Sequence, residues 1–207
     1  MLLRELESLV RLGVPLRASF GCQNTKFGLA QSMRFSQLDR IISLEKGVSI
    51  SAVKCLSLSE EYLEDHFPRF PVMPGVLMVE SLFQASMWLV RATHDFKHSS
   101  VVLRETKSMK FQGFVQPGDS LMINAVIKST KESITNLKVT GTVNDRPAVS
   151  GRIVVDAYNL QEREGVDQAI DEYMNYKFRL NFRRLCNQLD SQKLSGMVED
   201  PVVSTQT

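Results

Sequence analysis

The stretch Val72-Met73-Pro74-Gly75-Val76-Leu77-Met78-Val79-Glu80-Ser81-Leu82-Phe83-Gln84-Ala85-Ser86-Met87-Trp88-Leu89-Val90 decides the fold. A membrane span needs roughly 20 mostly apolar residues, and the carboxylate of Glu80 in mid-stretch argues against one. Nothing after Pro74-Gly75 breaks a helix until the polar segment around Lys97. The spacing therefore predicts a helix over 76–93, roughly 27 Å long at 1.5 Å per residue. Its apolar residues lie on all sides, so other structure must wrap it.

Working outward, residues 39–44 and 48–58 are β-rich runs separated by Glu45-Lys46-Gly47, and they predict a hairpin. Residues 59–74 predict a loop, because Pro68, Pro71 and Pro74 each push the preceding residue into an extended conformation. Beyond the helix, strands are expected at 101–112, 120–130, 134–144 and 147–157. Their connections hold Pro117-Gly118-Asp119 and Asn144-Asp145-Arg146-Pro147, and connections this short predict antiparallel neighbours. Two strands, one buried helix and four strands give an α+β layer architecture, one antiparallel sheet curling around one helix.

The rest of the chain is appendage to this domain. Among 207 residues, 25 basic and 23 acidic side chains leave a formal charge of +2, which carries no polyelectrolyte signature and argues against nucleic acid as a partner. The 43% apolar and 23% charged fractions are those of a soluble globular chain. Cys22, Cys55 and Cys186 lie far apart, without zinc or redox spacing, so a reducing cytoplasm is expected. Glu5 and Glu7 interrupt any signal-peptide pattern. Residues 2–12 have helical spacing, but 1–32 as a whole reads as a poorly ordered leader. Met33, which opens the first stretch resembling domain sequence, is a candidate translation start. The domain is expected over 33–158 and a helical extension over 159–190, with Val166, Ile170, Met174, Phe178, Phe182, Leu185 and Leu189 three or four apart. That helix is expected to pack on the domain or on a second subunit, and residues 191–207 read as disordered.

The chemistry lies between His66 and Glu80. His66 sits in the proline-rich loop, and imidazole is the side chain best suited to move protons near neutral pH. Glu80 lies in an otherwise apolar helix, where a carboxylate is costly unless paired or used. Gln84 is one turn further on the same face. Gly75 stands at the helix N-terminus, where unpaired N–H groups and the positive dipole end favour developing negative charge. Base, acid and oxyanion donors in one short stretch suit proton abstraction beside a carbonyl, with a leaving group protonated by the second acid.

The string His66-Phe67-Pro68-Arg69-Phe70-Pro71-Val72-Met73-Pro74-Gly75-Val76-Leu77-Met78-Val79-Glu80 resembles the active-site motif of the β-hydroxyacyl-acyl-carrier-protein dehydratases of the FabZ type, H-F-P-x-x-P-x-M-P-G-V-L-x-x-E. Leu38-Asp39-Arg40-Ile41, Lys110-Phe111 and Val115-Gln116-Pro117-Gly118-Asp119 extend the similarity across about residues 38–157. The resemblance implies a hotdog fold, a curled antiparallel sheet wrapped around one long central helix. It makes His66 and Glu80 the catalytic pair, facing each other across a homodimer, often with three dimers in a hexamer. It makes Gly75 the residue whose N–H binds the thioester carbonyl, and it places Phe67, Pro74, Val76 and Gln84 with it on the substrate's path. Glu80 and Val76 separate the chain from the dehydratase–isomerase branch, which has aspartate and cysteine there.

The implied reaction is loss of water from a (3R)-3-hydroxyacyl thioester on acyl carrier protein, in fatty acid biosynthesis, with no metal or organic cofactor. An (R)-specific enoyl-coenzyme A hydratase, a hotdog thioesterase and a non-catalytic acyl-binding protein are the alternatives. Arg69 and Gln112-Gly113-Phe114 depart from the family pattern. Met33-Arg34-Phe35-Ser36-Gln37 is reduced relative to it. His94 and His98 are four apart, but with no third ligand in sight an exposed helix end is expected. Met73, Met78, Met87 and Trp88 are expected in the core or along an acyl tunnel, and Arg34, Arg40, Arg69 and Arg104 are candidates for carrier contact.

Overall fold

The computed structural model describes residues 35–186. Strands β1 (Arg40–Glu45) and β2 (Ser49–Cys55) form the expected antiparallel hairpin, with Gly47 at φ +78° in the turn, a left-handed value that costs glycine little. Strand β2 stops at Cys55, short of the expected Leu58, and the following loop contains one helical turn, α1 (Tyr62–Asp65). The long helix α2 (Gly75–Thr93) follows, then β3 (Ser100–Phe111), β4 (Ser120–Lys131), β5 (Ile134–Val143) and β6 (Arg146–Tyr158). Two further helices, α3 (Leu160–Glu164) and α4 (Gln168–Leu185), complete the described chain.

The six strands form one sheet in the order β1-β2-β4-β5-β6-β3, every neighbour antiparallel. Leu121, Ile123 and Ala125 of β4, Leu137 and Val139 of β5, and Val149, Ile153 and Val155 of β6 are all buried at every second position. That alternation puts one face of the sheet against α2, whose Leu82, Ala85 and Leu89 are buried in the same core. From Met78 onward most of α2 is enclosed, as expected. Its first turn is not: Val76 is 75% exposed.

One expectation fails. Strands β3 and β4 are not neighbours; among the described residues β3 pairs only with β6, at the sheet edge, and β4 lies between β2 and β5. Eight residues can span up to about 26 Å, so a short connection limits the distance between strand ends but not their pairing. Segment 112–119 makes its bonds elsewhere. The Gln112 amide donates to the Ala148 carbonyl, Met73 N–H to Val115 O, Gly118 N–H to Leu56 O and Leu56 N–H to Asp119 O. These carry the chain from the β6 side of the sheet to β2.

The extension breaks at Gly165 (φ +66°), which ends α3. The expected stripe through Ile170 also shifts, since Ile170 is exposed while Asp171, three turns before Phe182 on the inner side, is buried. The cause is polar. The Asp171 carboxylate accepts the Leu160 and Gln161 N–H groups at 3.0 and 3.1 Å, which turns this face of α4 toward α3. The expectations for residues 1–32, Met33, Arg34 and Cys22, and for Leu189 and the chain after it, lie outside the described residues.

Candidate active site

His66 follows α1 directly, its N–H donating to Tyr62 O. Its Nδ1 lies 2.9 Å from the carbonyl oxygen of Val72. A carbonyl can only accept, so Nδ1 carries a proton, and in the neutral ring the lone pair lies on Nε2. Val72 is buried, whereas the loop between, with Pro68 and Pro71, bulges out. Phe67 takes φ +52°, its ring edge-on to His66 with centroids 4.6 Å apart. A bulky residue holds a left-handed conformation only where its surroundings enforce it. Here the enforcing contacts are the Val72 clamp and the Phe70 N–H bond to Phe67 O at 2.7 Å.

Gly75 is the first residue of α2, and Pro74, with φ −55° and ψ 138°, supplies the extended residue before it. The Pro74 carbonyl accepts from Leu77 and Met78. The amides of Gly75 and Val76 precede the first intrahelical acceptor, so the helix offers them no partner. A Cβ on Gly75 would stand 3.1 Å from Cε1 of Phe111, so glycine lets that ring close over the helix start.

Glu80 lies less than two turns further on and is partly buried. Gln84 donates from Nε2 to Glu80 Oε1 at 2.8 Å and to Phe35 O at 2.9 Å, while its Oε1 accepts from Gln37 N–H at 2.8 Å. Both ends of the amide are thus fixed by segment 35–37, and Gln84 holds one oxygen of Glu80. The bond to Glu80 follows from helical spacing. The bonds to Phe35 and Gln37 cross almost fifty residues of sequence, and nothing local signals them.

Among the described residues, His66 and Glu80 share no hydrogen bond or ion pair within one chain. Around them Phe67, Phe70, Val76, Phe111 and Phe114 are exposed, Phe70 meeting Phe114 edge-on at 5.5 Å. Exposed apolar side chains therefore rim the helix start. Sequence spacing does not identify Phe70, Phe111 and Phe114 as part of this rim, since the β3–β4 crossover is what brings 111–114 to the helix start.

Elsewhere, His94 and His98 stack with centroids 5.2 Å apart, both partly buried rather than exposed. Burial first, then the neighbouring His94, lowers the His98 pKa. Met73, Met78, Met87 and Trp88 are buried. Cys186 is buried, which pushes its thiol up to about 12. Among the described residues no helix is long and apolar enough to cross a membrane.

A model of the FabA-like domain matches residues 29–157, more than half of the chain. The 3-hydroxyacyl-acyl-carrier-protein dehydratase FabZ of Ruminiclostridium cellulolyticum is 40% identical over 119 residues, covering 58% of this chain and 84% of that protein. The protein of the same name from Wolbachia pipientis wMel is 34% identical over 125 residues, covering 60% and 87%. Among solved structures, the dehydratase heterocomplex ApeI:P from Xenorhabdus doucetiae superposes with a TM-score of 0.54 at 16% identity, over 65% of this chain and 90% of that one. That last likeness is one of fold. Helices α3 and α4 lie beyond the matched residues.

Proposed function

Since the chain belongs to the FabA-like domain family, we propose that it removes water from (3R)-3-hydroxyacyl-acyl-carrier-protein to give the trans-2-enoyl thioester, in fatty acid biosynthesis. The observation that carries this is the His66–Val72 clamp, which leaves Nε2 as the base, set fourteen residues before a carboxyl group that Gln84 orients. His66 Nε2 takes the proton from C2, and the electron pair forms the C2=C3 double bond as the C3–O bond breaks. Glu80, entering as the acid, gives its proton to the departing hydroxyl, which leaves as water. The proton on His66 then returns through solvent to Glu80, so the cycle closes. The Gly75 and Val76 amides at the start of α2 hold the thioester oxygen as enolate charge develops, and Phe67 and Pro74 shape the path to them.

A second copy of the chain completes the site, each His66 working with the partner's Glu80. Two observations support this: the pair is not joined within one chain, and β3 is an open edge with Val102 and Leu103 exposed, which an identical strand can cover. The carrier contact we assign to the outer face of the sheet. There Lys107, Arg152 and Lys138 stand directly opposite one another on β3, β6 and β5, and with Lys128 they line a depression of about 500 Å³. Like charges directly opposed across strands cost stability, which an acidic partner offsets. Their spacing of about 4.8 Å is close to the 5–6 Å between carboxylates one turn apart on a helix. Arg69 and Arg104 are exposed but do not line this depression. The cytoplasm, where cysteines stay reduced, is the proposed location.

The test offers carrier-bound and coenzyme A-bound 3-hydroxyacyl substrates and follows enoyl absorbance. Carrier-bound substrate should be preferred, and His66→Ala and Glu80→Gln should each lower kcat by about 10²–10⁴-fold, the range for a lost general acid or base. Wild-type rates in either variant, or release of free thiol instead of enoyl product, would overturn the reading.

A further inference from the structure

We infer that the C-terminal helix α4 limits the length of acyl chain that the enzyme accepts, by closing the far end of the α2 face that carries Glu80. This rests on the dehydratase reading above. A carrier protein cannot enter the fold, so the thioester arm it carries enters at the open start of α2, where Val76, Phe67 and Phe70 are exposed. With the thioester held at Gly75 and the hydroxyl at Glu80, the acyl tail must run away from solvent, along α2 toward Thr93.

Helical periodicity places Phe83, Met87, Trp88 and Arg91 on or beside the stripe of Glu80. Phe83 and Met87 give that stripe an apolar surface. It ends at Trp88, about 12 Å beyond Glu80 at 1.5 Å per residue. Trp88 meets Phe178 and Phe182 of α4 at centroid distances of 6.0 and 5.8 Å, and Phe182, fully buried, also packs on Phe96 at 5.2 Å. One turn on, Arg91 is buried with its guanidinium 3.6 Å from the centre of the Phe178 ring. Its Nη1 and Nη2 donate to the carbonyls of His98 and Ser99, at 2.7 and 3.2 Å. A charge held this way, with carbonyls and a ring face in place of a carboxylate, makes a polar stop that a methylene chain does not pass.

The stop is anchored. Asp171 ties α4 to the start of α3. Arg179 donates to Asp95 O at 2.6 Å, and Asn175 to Lys97 O at 3.4 Å. Those bonds grip the turn after α2, where Asp95 and Phe96 hold φ values of 51° and 58°. Because α4 lies outside the matched domain, the limit belongs to this chain's extension.

The experiment loads the carrier with 3-hydroxybutanoyl, -octanoyl, -dodecanoyl and -hexadecanoyl groups and measures kcat/KM for the full chain, Phe178→Ala and the milder Phe182→Leu. Wild type should use octanoyl well and hexadecanoyl about tenfold less, a discrimination within reach of pocket packing. Each variant should recover hexadecanoyl turnover several-fold and leave butanoyl turnover unchanged, which also shows that it is folded. Equal wild-type use of octanoyl and hexadecanoyl, or an unchanged profile in both active variants, would overturn the inference. Trp88, the chain's single tryptophan, gives a readout that does not need turnover. With non-reacting 3-hydroxyacyl-pantetheine amides of rising length, its emission should shift once the tail reaches it and stay constant beyond. Failure of any dehydration would then count against the reaction, and a silent Trp88 at every length against the stop.

Discussion

Nδ1 of His66 has one role, donation to Val72 O, which leaves Nε2 as the nitrogen the proposed reaction uses. Glu80 is placed in a comparable way, through Gln84. Replacing Gln84 by Leu keeps the volume but strips Glu80 of its donor and leaves Gln37 N–H and Phe35 O without their partner. We expect a fall in kcat with little change in KM, and a loss of about 1–3 kcal/mol in stability, the cost of stranding buried polar groups. Steady-state kinetics and chemical denaturation of the variant check both. An unchanged kcat would mean that Gln84 does not position Glu80. His66, Gly75, Glu80 and Gln84 were legible in the sequence because they sit within nineteen residues at spacings that a loop and a helix turn into geometry. The grip of residues 35–37 on Gln84 was not, since a buried glutamine carries no mark of which distant backbone it bonds.

At the scale of elements, alternation along β4, β5 and β6 and the unbroken apolar run of α2 made those elements readable. What the pattern could not convey was the neighbour of β3, which depends on how far the sheet curls and on the bonds of segment 112–119. The face of α4 was misplaced for a related reason. Periodicity counts Ile170 as apolar and Asp171 as polar, yet the bonds to Leu160 and Gln161 make the aspartate the inward residue. Strand order also produces the cationic row, since Lys107 and Arg152 oppose each other only because β3 lies beside β6. Lys138→Glu should raise KM for carrier-bound substrate about tenfold and reduce its salt dependence, as expected when a charge that steers encounter is reversed. Turnover of a small pantetheine thioester should be unaffected. Equal effects on both substrates would place the row's role in the fold.

Across the whole molecule, the extension is joined to the domain by carboxylates whose protonation can be read. The Arg163 guanidinium, bonded to Asp156 at 2.7 and 3.1 Å, holds that carboxyl below the ordinary range. Burial pushes Asp171 up, but bonds from Ser99 and from the Gln161 and Leu160 amides more than offset this and leave it low. Both groups therefore bind protons more weakly folded than unfolded. Their contribution is present above the ordinary carboxylate pKa of about 4 and is lost as pH falls through the folded values. Acidification below that point should change Trp88 emission, as α4 loosens, before the sheet signal in circular dichroism is lost. Asp156→Asn should flatten the early phase; identical curves for the two proteins would contradict the assignment.

The proposal that two chains share the catalytic pair is tested most directly by complementation. His66→Ala and Glu80→Gln chains, each nearly inactive alone, are unfolded together, refolded as a mixture and assayed on 3-hydroxyacyl-acyl-carrier-protein. If each site takes His66 from one chain and Glu80 from its partner, mixed dimers contain one intact site and dehydration returns. A mixture no more active than its parts would contradict a site built across two chains.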